Sequence, residues 1–292
     1  MAERRFFERL LIVAGIFFLF FVITMIGLPL VLYGLGGDSS SREGLLLLGA
    51  LQALVLFIAP SLVSARIISP RPFAYLRLDK APGLFPLLGV VMGYLIALPA
   101  LNQIIFWNQN LVFPDFLAPW GETLREMEDS ANAASAVMLD VQSVGGMLIN
   151  LLVIGLVTAF GEEMFFRGAL QTTAASSGSP HTAIWVVALF FSAMHFQIFG
   201  FVPRLLIGAW FGYLLFWTRS LYVPVFAHFF NNGLVVVFAW LNVAYGFSLD
   251  NIGVVEYGFP MPAFVSAVAT VVFLVYFRRF FFMPHSQDSV YA

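Results

Sequence analysis

Long apolar runs constrain the fold of this chain more than any other feature of its sequence. A membrane-spanning helix needs about 20 consecutive, mainly apolar residues. The 292-residue chain is 61% hydrophobic and 10% charged, whereas a soluble domain carries about 25% charged residues. Segments of the required kind lie near residues 10–34, 45–65, 83–106, 145–175, 181–200, 203–218, 222–244 and 262–283. The sequence therefore predicts an all-α polytopic membrane protein with about eight transmembrane helices.

The rest of the composition narrows the functional classes. The chain contains no cysteine, which excludes disulfide bonds and a cysteine nucleophile. Its net charge of −2 and its lack of a basic patch argue against a nucleic-acid partner. The first apolar run is longer than the apolar region of a secretory signal, about 7–15 residues, so we expect it to remain as a membrane helix. We predict one integral membrane domain over residues 1–292, with the lipid bilayer as its environment.

Lysine and arginine residues are distributed unevenly between alternate loops. If eight helices alternate, one side of the membrane receives Arg4, Arg5, Arg9, Arg66, Arg71, Arg77, Lys80, Arg219, Arg278 and Arg279. The loops of the other side hold only Arg42, Arg125 and Arg204. The positive-inside rule then places both termini in the cytoplasm. The short loops are typical of a prokaryote, so we expect a multi-pass protein of the bacterial inner (cell) membrane.

The longest polar stretch covers residues 114–142 and lies outside in this topology. Its sequence LREMEDSANAASAVMLDVQ favours a helix with some amphipathic spacing. We interpret it as a helix that rests on the outer membrane surface. A lid over a site is the alternative.

Three charged side chains lie within the fourth apolar segment, in the sequence TAFGEEMFFRGALQ. A charged side chain at the bilayer centre costs about 2.5–3.5 kcal/mol on insertion scales. Glu163 and Arg167 are four residues apart, so they share a helix face and can pair. Glu162 lies about 100° around the helix from Glu163, so the pairing of Glu163 with Arg167 does not account for its presence. A buried ion-pair cluster that only locks helix packing is the alternative.

Two histidines and an amide follow on the next segments. His195 ends FSAMH in the fifth segment, and HFFNN places His228 and Asn232 four residues apart in the seventh. The sequence SSGSP predicts a turn between the fourth and fifth helices, and the midpoint between Glu162 and His195 falls inside it. These two residues are therefore expected to face each other, roughly 20–25 Å from the turn. An interhelical hydrogen bond without catalysis is the plainer role for either histidine.

Together these side chains fit the hydrolysis of a peptide bond. A carboxylate beside a histidine can activate water, and a second histidine with an amide can donate hydrogen bonds to a developing oxyanion. Glu162, His195 and His228 also suit Zn²⁺ with an open fourth position, and that alternative stays open. A transporter is disfavoured because the two halves show no paired broken helices. A non-catalytic scaffold, as in bacteriocin self-immunity, is the remaining alternative.

Three motifs occur in order: Glu-Glu-x-x-x-Arg in GEEMFFR, Phe-x-x-x-His in FSAMH and His-x-x-x-Asn in HFFNN. Together they resemble the CAAX protease and bacteriocin-processing (CPBP, or Abi) family of intramembrane endopeptidases and are similar to type II CAAX prenyl endopeptidases. The resemblance covers residues 145–243, which we predict to form the catalytic core.

The resemblance implies a role for each matched residue. Glu162 and His195 would activate the attacking water. His228 and Asn232 would hold the oxyanion, and Glu163 and Arg167 would support the site. The implied substrate is a hydrophobic peptide or a membrane protein. We favour a mechanism without a cofactor, with zinc as the alternative.

Overall fold

The computed structural model describes residues 2–34, 36–176, 178–247 and 253–281, with the side chains of residues 2–4 and 281 left undescribed. Throughout these ranges the regular structure is helical, without a β-strand. We number the helices α1 (Ala2–Gly34), α2 (Arg42–Ile68), α3 (Pro72–Tyr75), α4 (Leu84–Gln109), α5 (Ala118–Leu139), α6 (Val144–Ala174), α7 (Pro180–Ala193), α8 (Phe201–Thr218), α9 (Tyr222–Tyr245) and α10 (Met261–Phe281).

The long helices confirm the all-α membrane fold that the sequence predicts. In the described part of the chain, seven helices are long and apolar enough to cross a membrane, namely α1, α2, α4, α6, α8, α9 and α10. The eighth apolar helix, α7, has only 14 residues and ends at Ala193, whereas the apolar run was expected to continue to residue 200. The chain turns after this helix, and Phe196 within the turn adopts a left-handed conformation with φ 55°. The side on which the termini lie stays a prediction.

Two membrane helices contain π-helical segments, in which an extra residue widens the turn. In α2 the segment is Ala53–Ile58, and in α6 there are two, Leu151–Val157 and Met164–Gln171. The helices meet where Gly161 lies against α2, so that a Cβ on Gly161 would be only 2.9 Å from the Ala53 carbonyl oxygen. The glycine therefore allows the two backbones to touch. Segments of this kind are often found at functional sites.

The polar stretch forms α5, a largely exposed helix at one end of the membrane helices. Arg42 at the start of α2 donates to the Met138 carbonyl at 3.3 Å and to the Asn150 side chain at 2.9 Å. Asn150 is fully buried and donates to Met138 at 2.8 Å. The start of α2, the end of α5 and the start of α6 are thus tied together. The amide of Asn150 joins helices, as its place in an apolar segment predicts.

Candidate active site

Glu163 is the centre of a buried polar cluster between α6, α8 and α9. Its side chain is inaccessible to solvent. One oxygen, Oε1, accepts a hydrogen bond from Arg167 Nη1 at 2.8 Å and another from His228 Nδ1 at 2.8 Å. The pairing of Glu163 with Arg167 follows the i, i+4 spacing of the sequence. The arrangement balances the negative charge of Glu163 with groups from two helices.

Glu162 has no comparable partner for its charge. It is 9% exposed, and its Oε2 lies 3.9 Å from Nε2 of His228. That distance exceeds a direct hydrogen bond. His228 therefore lies between the two glutamates, with Nδ1 donating to Glu163 and Nε2 directed toward Glu162. Because a carboxylate accepts only, the Glu163 contact fixes the proton on Nδ1.

Arg167 is held from three sides in the interior. Its Nη2 donates to the Gly208 carbonyl at 2.9 Å, and its guanidinium carbon lies 4.5 Å from the ring centroid of Phe191. A Cβ on Gly208 would be 3.0 Å from Phe191 and 3.3 Å from Arg167 Nη2. The small-residue face of α8 therefore makes room for the guanidinium.

His195 lies in the turn after α7, with its Nδ1 2.8 Å from the carbonyl oxygen of Phe191. Within the described residues, no direct hydrogen bond or ion pair joins His195 to Glu162, and the histidine within 4 Å of Glu162 is His228. The helix α7 ends at Ala193, two residues before His195. The expectation that His195 faces Glu162 stays a prediction. The Phe191 ring lies 5.1 Å from the His195 ring and 6.0 Å from the His228 ring.

The turn that carries His195 is anchored by side chains that the sequence did not single out for this purpose. Asn108 of α4 donates to the Ile198 carbonyl at 3.0 Å and accepts from the Val202 amide at 2.8 Å. Arg204 donates to the Gln197 side chain at 2.9 Å. The two Asn108 bonds satisfy backbone groups in the turn, which is a strict requirement inside a membrane.

Asn232 belongs to a chain of hydrogen bonds that connects α4, α9 and α6. Tyr94 donates to Asn231 Oδ1 at 2.6 Å, Asn231 donates to Asn232 Oδ1 at 3.0 Å, and Asn232 donates to the Ile154 carbonyl at 3.1 Å. Ile154 lies in a π-helical segment of α6. The HFFNN motif contains Asn231 as well as Asn232, but the sequence assigned no role to Asn231 and did not indicate Tyr94. One N–H of the Asn232 amide is committed to Ile154, and the other is the one available for a ligand.

The geometry brings Glu162, Glu163, Arg167 and His228 together, with Asn232 one helical turn beyond His228 and His195 behind Phe191. In the described part of the chain, no three His, Asp or Glu side chains are grouped so that they could hold a metal ion. The alternative zinc ligands Glu162, His195 and His228 are therefore not assembled in this conformation. The polar groups instead form a buried cluster in which Glu162 has only a long contact, 3.9 Å, with His228 among the hydrogen bonds and ion pairs of the described residues.

Comparison with known proteins connects this cluster to a family. Residues 144–234 match the family model described as type II CAAX prenyl endopeptidase Rce1-like. We call residues 144–234 the Rce1-like region. It includes all seven of the residues that carry the three motifs, so the resemblance drawn from those motifs is confirmed. By its description, the matched family is one of endopeptidases.

One relative is similar to part of the chain. An uncharacterized protein of Bacillus subtilis (strain 168), YpbD, is 38% identical over 78 residues. The alignment covers 25% of this chain and 37% of the relative, so the chain spans little more than a third of that protein. No solved structure matches the chain. With its apolar helices and the Rce1-like region, the chain is an integral, multi-pass membrane protein.

Proposed function

We propose that this protein is an intramembrane endopeptidase that hydrolyses a peptide bond in a hydrophobic peptide or membrane protein. The observation that carries the proposal is the state of the adjacent glutamates. Glu163 accepts hydrogen bonds from Arg167 and His228 at 2.8 Å, whereas the nearest ion-pair partner given for Glu162 in the described residues is Nε2 of His228 at 3.9 Å. A buried carboxylate without a close partner is expensive in a membrane. A catalytic task explains why it is present.

In the proposed mechanism, Glu162 accepts a proton from the attacking water. Because Glu162 Oε2 and His228 Nε2 lie 3.9 Å apart, one water beside them can form hydrogen bonds to both atoms. His195, on the anchored turn beside Phe191, is proposed to help orient the water, in line with the family resemblance. A base held beside its target raises rates by about 10²–10⁴-fold.

His228 and Asn232 are proposed to stabilise the oxyanion. The Glu163 contact orients the His228 ring so that Nε2 is directed toward Glu162. The remaining N–H of Asn232 can donate to the developing negative charge, and His228 is proposed to assist from its Nε2 edge. Arg167 holds Glu163 in place and thereby acts on His228 indirectly.

The variant Glu162→Gln tests the proposal directly. It preserves size and burial but removes the base, so we expect cleavage of an apolar fluorogenic peptide to fall by at least about 10²-fold with unchanged melting temperature. Glu122→Gln, an exposed glutamate of α5, is the matched control and should retain full activity. Equal cleavage by Glu162→Gln and the wild type would refute the proposal. A protein that binds the peptide but never cleaves it would point to the scaffold alternative.

The zinc alternative has its own test. We propose a metal-free mechanism because the unpaired amide N–H of Asn232 is a good oxyanion donor, whereas Asn is a poor zinc ligand. Protein treated with a strong chelator should keep its activity, and elemental analysis should find far less than one zinc per chain. Activity that disappears on chelation and returns with zinc would reassign Glu162, His195 and His228 as ligands.

A further inference from the structure

An elongated groove leads away from the candidate site between α4 and α9. It has a volume of about 770 Å³, within the range of ligand-binding pockets, about 300–1,000 Å³. Tyr94 and Asn231 line its inner end, where they are hydrogen-bonded to each other. The last turn of α5, including Asp140, lines the other end. The groove therefore starts at the level of the site and runs toward the ends of α4 and α9.

Polar side chains are spaced along a mainly apolar lining. Besides Asn231, the groove contains the amides of Asn102 and Asn242. Asn231 and Asn242 are eleven residues apart on α9, which corresponds to about 16 Å at 1.5 Å per residue. An extended peptide advances about 3.3 Å per residue, so this distance matches roughly five residues. Apolar walls with amides at intervals suit a peptide with apolar side chains and a polar backbone.

The contrast with a second cavity argues for a peptide over a lipid chain. That cavity lies on another face of α4, has a volume of about 460 Å³ and is lined by small and aromatic residues such as Gly93, Ala97 and Trp210. It contains no amide side chain among its lining residues. A lipid tail cannot form hydrogen bonds with amides, whereas a peptide backbone inside a membrane needs hydrogen-bond partners for each N–H and C=O group.

The groove adjoins the candidate oxyanion site through Asn231. Asn231, at its inner end, donates to Asn232 at 3.0 Å, and Asn232 lies four residues after His228 on α9. We propose that the groove binds an extended, mainly apolar segment of the substrate, about five residues long, next to the bond that is cleaved. The inference rests on the proposed function for the identity of the ligand. It adds a binding site, a length and an approach from the α5 end.

A steric test compares the groove with the second cavity. Ala239→Phe fills the groove, and Ala97→Phe places the same ring in the other cavity. For an apolar fluorogenic peptide, Ala239→Phe should raise KM about tenfold with little change in kcat, as expected for the loss of binding shared by ground and transition states. Ala97→Phe should leave KM unchanged. If Ala239→Phe fails to fold, Asn242→Leu serves as the second variant and should also raise KM.

A binding test does not depend on turnover. Because the chain has no cysteine, Ala239→Cys and Ala97→Cys each introduce a single thiol, here combined with Glu162→Gln. The same peptide at ten times its Kd should slow N-ethylmaleimide labelling of the groove thiol about tenfold. It should leave labelling of the control thiol unchanged.

The outcomes separate the two proposals. If the wild type and Glu162→Gln cleave the peptide equally, the proposed function fails, while the labelling result still decides whether peptide occupies the groove. If Glu162→Gln abolishes cleavage but neither KM nor labelling responds in the groove variants, the groove proposal is wrong. Protection by a short-chain phospholipid in place of the peptide would also overturn it, because the groove would then be a lipid site.

Discussion

Glu163 shows how one buried atom can organise a site. Its Oε1 accepts two hydrogen bonds of 2.8 Å, one from the helix on which it lies and one from α9. Its Oε2 has no hydrogen-bond partner among the described residues. The side chain is therefore held entirely through one oxygen, and both the charge balance of α6 and the orientation of His228 depend on it.

We predict that Arg167→Met destabilises the protein as well as lowering activity. Removing one member of a buried ion pair typically costs about 3–5 kcal/mol because the other charge is stranded. The measurement is the melting temperature in detergent together with the rate of peptide cleavage. Arg66→Met, at an exposed position of α2, is the control and should change neither. Normal stability and full activity in Arg167→Met would show that Glu163 does not need its partner.

Local sequence patterns identified most of these residues but not their geometry. The spacing of Glu163 and Arg167 was enough to predict their pairing, since helix periodicity places such residues on one face. The contact of His228 with Glu163 was missed, because it depends on how α6 and α9 rotate against each other. That rotation follows from π-helical segments and close glycine contacts, for which the sequence has no simple pattern. The roles of Glu162, His195, His228 and Asn232 stay predictions.

The turn between α7 and α8 depends on a helix outside the Rce1-like region. Asn108 of α4 bonds both the Ile198 carbonyl and the Val202 amide, on either side of the short turn that follows His195. A single amide thus connects the N-terminal half of the chain to the candidate site. The position of His195 therefore depends on α4 as well as on the segment that contains the FSAMH motif.

We predict that Asn108→Ala lowers kcat more than it changes KM. The loss of two hydrogen bonds leaves buried backbone groups unsatisfied, at about 1–3 kcal/mol each, and frees the turn that carries His195. Asn110→Ala is the control, because the Asn110 side chain is exposed and donates only to Phe106 of its own helix. Steady-state kinetics and melting temperature of both variants provide the measurement. A pure loss of stability with unchanged kcat would make Asn108 a structural residue only.

The arrangement of the whole chain follows largely from its apolar runs. All eight predicted segments correspond to apolar helices, because burial in lipid requires each backbone group to be bonded within its own helix. The ends of the helices were less predictable where a turn lies within the membrane, as after Ala193. Which helices pack together was also beyond the sequence, since hydrophobicity is similar on all faces of a lipid-exposed helix.

We predict that both termini face the cytoplasm and that α5 lies on the opposite side. The reason is the excess of arginine and lysine in alternate loops. Reporter fusions at the C-terminus and within residues 115–140 should report different compartments. Insertion of the reporter at Glu122, an exposed position of α5, limits disturbance of the fold. The same compartment for both reporters would contradict this topology.

The short length of α7 predicts that activity depends on the thickness of the bilayer. Its 14 residues span about 21 Å, whereas the hydrocarbon layer of a typical bilayer is about 30 Å thick. The turn with His195 must therefore sit below the headgroups, unless the surrounding lipids shorten to meet it. Local thinning of the bilayer at this point would let water reach the candidate site. We expect hydrolysis in proteoliposomes to be faster with 14-carbon than with 20-carbon acyl chains at equal temperature and fluidity, and a rate that is independent of chain length would exclude this route for water.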